Sequence, residues 1–392
     1  MIEKAGSYLS IPFCRQKCTY CNFASDAYSI SLLSPYLRFL ETEIRQRADF
    51  WARAGIPASP DARADTIYLG GGTPGMLSGE QLAGLLEAVR SAFHVEEKAE
   101  ITLEASPENV TVEKAAAWVA CGVNRVSLGV QSMIRQELRA VGRLHSAETV
   151  AQAFSALRIA GIANISADLI AGLPDQTEQS FEASLQALLD LGPTHFSIYM
   201  LDVDDDSRLG REILESGSRY RASSVPSEER VVGLYCAAMA LLRQAGFHHY
   251  EISNFARPGH MSRHNQKYWT NIPYFGFGVE AHSYDGERRW ADTDSLSLYL
   301  ERMQQGQPPI TELRTLALQE KFEERIFLGL RQRQGISLSR LQSEFSADLC
   351  EMYGRQLREF SESGWVETAG DILRLTDQGL LFSNEVFAGF LS

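Results

Sequence analysis

Six short runs rich in β-branched residues alternate with longer amphipathic stretches between Ser7 and Met200. Helical crossovers bring successive strands back in the same direction, so this alternation predicts a parallel sheet. Cap residues fit the pattern, because Ser78 precedes one amphipathic stretch and Gly192 follows another. Six strand–helix units predict a barrel-like sheet, open or closed. The expected strands are SYLSIPF (7–13), DTIYLG (65–70), EITLEA (100–105), RVSLGV (125–130), NISADLI (164–170) and THFSIYM (194–200).

The second half of the chain is less regular. A helix is expected near 225–245, followed by a segment rich in Gly, Pro and aromatic residues at 256–290. Two or three helices, a short hairpin and a closing helix are expected after about residue 307. The predicted fold class is α/β: a partial (β/α)6 TIM-like barrel with a small C-terminal α+β winged-helix-like domain. The predicted divisions are 1–225 (core barrel), 226–305 (barrel extension) and 306–392 (C-terminal domain).

Composition narrows the class of protein. The chain has 392 residues, of which 44% are hydrophobic, enough for a large core and a smaller one. No run of about 18 apolar residues is present, and MIEKAGSYLS lacks the apolar region of a signal peptide. We therefore expect a cytoplasmic protein that is not an integral membrane protein. The net charge of −13 disfavours nucleic acid as a partner.

Three of the six cysteines crowd into YLSIPFCRQKCTYCNF, at Cys14, Cys18 and Cys21, directly after the first predicted strand. Three thiolates on such a loop suit three irons of a [4Fe-4S] cluster and leave the fourth iron open. S-adenosylmethionine can chelate that iron through its amino and carboxylate groups and be cleaved by one electron. The alternatives are a zinc site, which lacks a second Cys/His pair here, and a redox thiol pair. The lone Cys121, Cys236 and Cys350 are expected to be small core residues.

Polar and glycine residues follow the other predicted strands. Gly70, Gly71, Gly72 and Thr73 end the second strand, where glycines let the backbone approach a ligand closely. Glu104, Gln131, Arg143 and Asp168 come at or just beyond the ends of the next strands, and the carboxyl ends of barrel strands carry the chemistry. A tight turn and buried polar residues that pin loops are the alternative interpretations. The acidic run 202–206 is expected to be a solvated loop.

Collinear segments along nearly the whole chain carry a family resemblance: YLSIPFC, GGGTP, ITLEASP, VSLGVQS, VGRLH, ADLIAGLPDQT and LTDQGLLFSN. The chain resembles the oxygen-independent coproporphyrinogen III oxidase-like proteins of the radical S-adenosylmethionine (radical SAM) superfamily. The resemblance implies a [4Fe-4S] cluster on the three cysteines. It also implies S-adenosylmethionine contacts from Tyr8, Tyr20, Gly71, Gly72, Thr73, Glu104, Gln131, Arg143 and Asp168.

Three features place the resemblance in the heme chaperone (HemW) branch of that family. Phe23 stands where the coproporphyrinogen enzymes have a further cysteine, the first strand begins by residue 7, and HNQKYW resembles an HNxxYW signature. The signature makes His264, Tyr268 and Trp269 candidates for heme binding, since imidazole ligates heme iron and aromatic rings cover a porphyrin. The alternative is that these residues belong to the core, and His145, His249, His260 and His282 are rival ligands.

The branch implies a heme-trafficking protein that binds heme and delivers it to respiratory hemoproteins at the membrane, with dimerisation. An enzyme that decarboxylates coproporphyrinogen III oxidatively, and a radical methyltransferase that degrades heme, remain alternatives, so enzymatic turnover is left open. Two residues depart from the family pattern. Ser10 stands where histidine is usual, and Glu280 stands where a small residue is expected.

Overall fold

The computed structural model describes residues 4–57 and 63–391. Its first six strands pair in parallel in chain order, as predicted. They are β1 (Ala5–Ile11), β2 (Arg63–Gly71), β3 (His94–Ala105), β4 (Arg125–Gln131), β5 (Asn164–Ala171) and β6 (His195–Met200). The accompanying helices are α1 (Leu33–Arg45), α2 (Arg47–Arg53), α3 (Gly79–Ala92), α4 (Val112–Cys121), α5 (Arg135–Ala140), α6 (Ala147–Ile159), α7 (Glu178–Leu191), α8 (Arg208–Leu214) and α9 (Glu228–Gln244).

Side chains alternate between the two faces of each strand, and the two faces differ in polarity. On β2, Ile67 and Leu69 are fully buried in the main hydrophobic core with the helices. Tyr68, between them, points the other way and donates a hydrogen bond to Glu104 on β3. The inner face of the curved sheet therefore carries polar side chains, and we call the interior that it encloses the lumen.

Local capping fixes where the helices begin and end. Ser78 Oγ accepts a hydrogen bond from the Gln81 backbone N–H, and the Gln81 side-chain oxygen accepts one from the Ser78 backbone N–H, which forms a capping box at the start of α3. Gly192 ends α7 in the left-handed conformation. Both caps were predicted, and together they turn the chain back towards the next strand.

The sheet continues on both sides of the six strands. The added strands are β7 (His248–Glu251), β8 (Asn254–Ala256), β9 (Tyr274–Phe277), β10 (His282–Tyr284), β11 (Arg288–Asp292) and β12 (Ile310–Thr315), with α10 (Arg263–Trp269) and α11 (Leu296–Gln304) between them. The strand order is β12-β11-β10-β9-β1-β2-β3-β4-β5-β6-β8-β7. Only β9 among the additions runs parallel to its six-strand neighbour, β1. The result is an open barrel-like sheet.

A second, three-stranded sheet ends the chain. It has the order β13-β15-β14, with β13 (Ile336–Ser337), β14 (Val366–Ala369) and β15 (Ile372–Leu375). The helices around it are α12 (Leu318–Leu330), α13 (Leu338–Phe345), α14 (Leu349–Glu362), α15 (Asp377–Leu381) and α16 (Ser383–Ala388). This is the expected arrangement of helices with a hairpin wing.

The division at residue 306 stays a prediction, and β12 still pairs with β11 of the large sheet beyond it. Over the described ranges, no helix combines the length and the apolar character that crossing a bilayer would need.

Candidate cofactor site at the carboxyl ends of the strands

The cysteine loop leaves β1 through a narrow, hydrogen-bonded neck. The Cys14 N–H donates to the Asp26 carbonyl over 2.9 Å, and the Asp26 N–H donates to the Pro12 carbonyl over 3.0 Å. The loop between these two bonds contains Cys14, Cys18 and Cys21, none of which forms a disulfide with another described residue. The neck therefore holds three thiols at the carboxyl end of β1.

Each thiol has a polar neighbour. Thr73 Oγ1 lies 3.7 Å from Cys14 Sγ, Arg143 Nη1 lies 3.6 Å from Cys18 Sγ, and Ser25 Oγ lies 3.8 Å from Cys21 Sγ. Burial raises the pKa of Cys14 and Cys21, while hydrogen bonds from Thr73 and Ser25 act in the opposite direction. These hydroxyls and the guanidinium are placed to stabilise thiolate charge once a metal has displaced the protons.

The thiol arrangement also distinguishes between kinds of metal site. Within the described residues, no three His, Cys, Asp or Glu side chains are grouped around a point that one metal ion could occupy. A zinc ion needs such convergence, because all its ligands bind one atom. In a [4Fe-4S] cluster each thiolate binds a different iron, so convergence on one point is not required. The three thiols, on one loop and each with its own polar neighbour, suit three separate irons of such a cluster.

The glycines after β2 pack against the neck of the cysteine loop. The Gly72 N–H donates to the Ile11 carbonyl and the Thr73 N–H to the Phe13 carbonyl, each over 2.9 Å. A Cβ on Gly72 would lie 2.7 Å from both of those carbonyl oxygens. Gly71 has a φ of +98°, which L side chains rarely adopt. The glycines are therefore required for the close approach of this turn to the cysteine loop.

One cavity of about 480 Å³ collects most of the predicted site residues. All three cysteines line it, together with Tyr20, Gly71, Gly72, Thr73, Glu104, Gln131, Arg143 and Asp168. Tyr8 instead lines a smaller cavity of about 160 Å³, which shares Gly71 and Glu104 with the larger one. The structure thus brings the predicted S-adenosylmethionine residues together at the carboxyl end of the lumen, with Tyr8 behind the glycine turn.

Two half-buried carboxyls, Glu104 and Asp168, line the cavity. Glu104 accepts a hydrogen bond from the Tyr68 hydroxyl over 2.7 Å, and burial, with the nearby Asp168 as a smaller cause, raises its pKa to about 7. Asp168 accepts from Ser127 over 3.1 Å and from Ser166 over 3.2 Å, and burial raises its pKa as well. A cationic or hydrogen-bond-donating ligand would favour the ionised form of both groups.

Two further polar side chains that line the cavity have buried atoms without a hydrogen-bond partner among the described residues. Gln131 has a φ of +66° beside a register shift in β4, and this residue lines the cavity. Among the described residues, Gln131 Oε1 and Arg143 Nε are buried without a hydrogen-bond partner. Such atoms fit a site whose polar ligand supplies the missing bonds.

The small cavity contains both departures from the family pattern. Ser10 and Glu280 line it, and Glu280 Oε2 accepts a hydrogen bond of 2.9 Å from the Ala24 N–H of the cysteine loop. Glu280 has a φ of +60°, in a region that favours glycine. Its chain position, 256 residues from Ala24, gave no sequence signal of this contact.

Residues after β6 also hold the cysteine loop. The acidic run is mostly exposed, as expected, yet Asp204 accepts a hydrogen bond of 2.8 Å from Asn22. The Leu209 N–H donates to the Thr19 carbonyl over 2.7 Å. Of the lone cysteines, Cys121 and Cys236 pack partly against the core, whereas the prediction for Cys350 is wrong because this residue is exposed.

The HNQKYW segment lies at the other end of the barrel from the cofactor cavity. It forms α10, which packs against the amino ends of β1 and β2, so His264, Tyr268 and Trp269 do not line the cofactor cavity. His264 is buried, with Nδ1 2.8 Å from Thr66 Oγ1 and Nε2 2.8 Å from the Tyr268 hydroxyl. Burial lowers its pKa to about 3, so the imidazole is neutral. Because both ring nitrogens are hydrogen-bonded, this structure does not offer His264 as an axial heme ligand.

Comparison with known proteins assigns the family. The family model of the radical SAM superfamily matches residues 8–188, and that of the HemN C-terminal domain matches residues 316–382. The chain is 34% identical to the heme chaperone HemW of Bacillus subtilis, with 98% of this chain and 99% of that protein covered. The chain belongs to the HemW family. Another HemW relative, from Lactococcus lactis, is 32% identical, with 100% of this chain and 98% of the relative covered.

The HemW relatives thus extend along both the barrel and the C-terminal sheet. Among solved structures, the coproporphyrinogen III oxidase HemN of Escherichia coli superposes with a TM-score of 0.85, covering 99% of this chain and 90% of that one. At 22% identity this likeness shows the fold, which is the radical SAM barrel with its C-terminal module. The predicted fold class and family are confirmed.

Proposed function

We propose that this HemW-family chain is a radical SAM heme chaperone, which binds heme and delivers it to hemoproteins. The observation that carries the proposal is similarity to proteins named heme chaperones over 98% of the chain, C-terminal module included. Phe23 adds support, because it replaces a cysteine of the coproporphyrinogen enzymes by an apolar side chain that lines the cofactor cavity.

Cys14, Cys18 and Cys21 would hold the cluster. A bound [4Fe-4S] cluster supplies an open iron for S-adenosylmethionine and the electron that cleaves it. The chain's own contribution is the polar surround of the thiols, since Thr73, Ser25 and Arg143 lie 3.6–3.8 Å from the three sulfur atoms. Such hydrogen bonds to sulfur raise the reduction potential of a cluster.

S-adenosylmethionine would occupy the 480 Å³ cavity beside the thiols. Its cationic and hydroxyl groups suit the Glu104 and Asp168 carboxyls, and its carboxylate suits the Arg143 guanidinium. The backbone of Gly71, Gly72 and Thr73 and the side chains of Tyr20 and Gln131 complete this assignment. Tyr8 would act from behind Gly71, because its hydroxyl lies 3.5 Å from where a Cβ on that glycine would be.

Heme would bind at the mouth of the same cavity. Three cavity-lining side chains there are large, apolar and exposed: Phe23 at 61%, Leu144 at 52% and Tyr199 at 43%. Exposed apolar side chains gathered at one site are typical of ligand surfaces, and a porphyrin offers a flat apolar face. Arg15 and Lys17 line the same cavity and would pair with the propionates. The assignment of heme to His264, Tyr268 and Trp269 from the sequence stays the alternative site, and variants at each site distinguish the two.

The remaining parts of the proposal concern location and partners. We place the protein in the cytoplasm, with acceptor hemoproteins at the membrane and self-association into a homodimer. The net charge of −13 supports recognition of protein acceptors in preference to anionic lipid or nucleic acid.

Heme transfer tests the proposed function. Anaerobically reconstituted protein is loaded with heme and mixed with an apo-hemoprotein, and the Soret band of the acceptor is followed. We expect stoichiometric heme binding and transfer, with heme recovered intact. Without heme binding the proposal fails. Turnover of coproporphyrinogen III to protoporphyrinogen in a parallel assay would favour the dehydrogenase, and ring-opened heme products would favour the degrading methyltransferase.

A further inference from the structure

Helix α10 is fixed to the amino ends of β1 and β2 and to the middle of β3. Lys267 Nζ donates to the Lys4 carbonyl beside β1 and pairs with Asp65 on β2, each over 2.7 Å. The Glu100 carboxylate on β3 accepts from the backbone N–H groups of Arg263 and His264, over 3.2 and 3.1 Å. The carboxyl ends of the same three strands carry the cysteine loop, the glycine turn and Glu104.

Gly6 makes this close packing possible. A Cβ on Gly6 would lie 3.0 Å from His264 Cε1 and 3.0 Å from Lys267 Cδ. That distance is tighter than most side-chain contacts, so any larger residue would push α10 away from β1. Helix α10 is therefore seated in the lumen and closes its amino end.

A first line of contacts runs from α10 to Glu104. The His264 ring lies 5.2 Å from the Tyr68 ring between centroids, and Tyr8 packs on Tyr68 at 6.0 Å. The Tyr68 hydroxyl then donates to Glu104 over 2.7 Å. The imidazole thus packs beside the ring whose hydroxyl donates to the Glu104 carboxyl.

A second line runs from the start of α10 to Asp168. The Ser262 N–H lies 3.2 Å from the Tyr250 hydroxyl, which lies 2.8 Å from His195 Nε2. His195 Nδ1 lies 2.7 Å from Ser166 Oγ, and Ser166 donates to Asp168 over 3.2 Å.

These bonds share one direction. Ser166 gives its only hydrogen to Asp168, so it must accept from the Nδ1–H of His195, and Nε2 then accepts from Tyr250, which accepts from Ser262. Burial, with the Arg125 charge as a smaller cause, lowers the pKa of His195 well below its usual value, and this keeps the ring neutral as the chain of bonds requires. Each donor in this line therefore points its hydrogen towards the Asp168 carboxylate. Successive hydrogen bonds that run in one direction polarise each other and so strengthen each other.

We infer that α10 is a positioning element for the cofactor cavity: it orients Glu104 through His264 and Tyr68, and Asp168 through Ser262, Tyr250, His195 and Ser166. The inference rests on the proposed S-adenosylmethionine site. It gives the HNQKYW signature a structural purpose at the far end of the lumen, and it makes His264, His195 and Tyr250 positioning residues.

Two substitutions test the two lines. Tyr250→Phe removes the bridging hydroxyl and keeps the ring, and His264→Leu removes both imidazole bonds. Tyr353→Phe is the matched control for the first, because it removes a phenol hydrogen bond to Glu323 in the C-terminal module. Gln266→Ala is the control on α10 itself, since its side chain takes part in neither line. Thermal melts report whether each variant folds.

The readouts are the S-adenosylmethionine dissociation constant and its pH profile, followed by the change in the spectrum of the reduced cluster on titration. We expect each test variant to bind about tenfold more weakly, as loss of an outer-shell partner commonly does. For Tyr250→Phe the loss of affinity at low pH should begin at a higher pH, because a weaker bond from Ser166 raises the pKa of Asp168. The charged and titratable groups facing Asp168 are Tyr68, Glu104, Arg125 and Tyr199, and Tyr250→Phe replaces none of them.

The outcomes separate the inference from the function on which it rests. If the wild type does not bind S-adenosylmethionine, the proposed cofactor site is wrong. If the wild type binds and both variants match it in affinity and pH profile, the positioning inference is overturned. Loss of heme binding in His264→Leu with unchanged S-adenosylmethionine affinity would likewise overturn it, because α10 would then be a heme-binding helix.

Discussion

The two ends of the lumen use similar residue types for different purposes. At the carboxyl end, Glu104, Asp168, Gln131 and Arg143 face an open cavity, and some of their polar atoms lack protein partners. At the amino end, Glu100 and both ring nitrogens of His264 are hydrogen-bonded within the protein. The sequence does not distinguish a polar residue that binds a ligand from one that only stabilises the end of the barrel. Only the partners around each group distinguish them.

The comparison implies that substitutions at the carboxyl end should abolish cofactor binding, whereas substitutions at the amino end should only weaken it.

The largest effect is expected at the cysteines. Cys18→Ser should remove the cluster entirely, because a hydroxyl replaces a thiolate ligand. Iron and sulfide content after anaerobic reconstitution measures this. Cys121→Ser, outside the cavity, should retain the full content, and a complete cluster in Cys18→Ser would refute the ligand assignment.

The next effect concerns the glycine turn. A Cβ on Gly72 would lie 2.7 Å from the carbonyl oxygens of Ile11 and Phe13, so Gly72→Ala should destabilise the fold by about 1–3 kcal/mol and loosen the cysteine loop. Gly233→Ala on α9 meets no atom within 4 Å and should stabilise by about 0.5–1 kcal/mol. Denaturant unfolding of both variants checks the difference, and equal effects would contradict the close approach.

A pH dependence should come from Glu104. Burial raises its pKa to about 7, so the carboxyl becomes protonated as the pH falls through 7 and loses its attraction for a cationic ligand. S-adenosylmethionine affinity should then fall by up to about tenfold per pH unit below 7. Glu104→Gln should bind weakly at every pH, without this slope. If the affinity of the wild type for S-adenosylmethionine does not change between pH 8 and pH 6, the Glu104 carboxylate does not contribute to binding of the ligand.

The smallest effect is expected at the amino end of the lumen. Gly6→Ala places a Cβ 3.0 Å from His264 Cε1, and a small shift of α10 should cost about 1 kcal/mol. The affinity for S-adenosylmethionine should fall by less than in His264→Leu, since the imidazole bonds survive. A destabilisation as large as that of Gly72→Ala would mean that the two ends of the lumen are equally sensitive.

Most of the site residues could be predicted from the spacing of short motifs along the sequence. Three cysteines after a strand and glycines after the next strand can be read from sequence, because the carboxyl ends of parallel strands meet at one edge. Glu104, Gln131, Arg143 and Asp168 were found by the same rule and do line one cavity. Tyr8 lines the neighbouring cavity instead, and the spacing of residues in the sequence does not predict this.

Long-range partners account for what the sequence did not reveal. His264 reads as a ligand in isolation, but its bond to Thr66 spans 198 residues of chain and buries the ring. The bond between His195 and Tyr250 spans 55 residues and has no motif. The contact of Glu280 with the cysteine loop likewise depends on the pairing of β9 with β1. Such contacts are fixed by tertiary packing, so a single sequence does not expose them.

The most direct test of the central claim is a heme titration followed at the Soret band on three proteins: the wild type, His264→Leu and the double variant Phe23→Ser/Leu144→Ser. Ile159→Ser, which removes an equally exposed apolar side chain on α6, is the control for lost surface hydrophobicity. If the mouth of the cavity binds heme and α10 only positions the cavity, the wild type, His264→Leu and the control should keep a stoichiometric band, and the double variant should lose affinity. A band that disappears in His264→Leu and persists in the double variant would contradict the account.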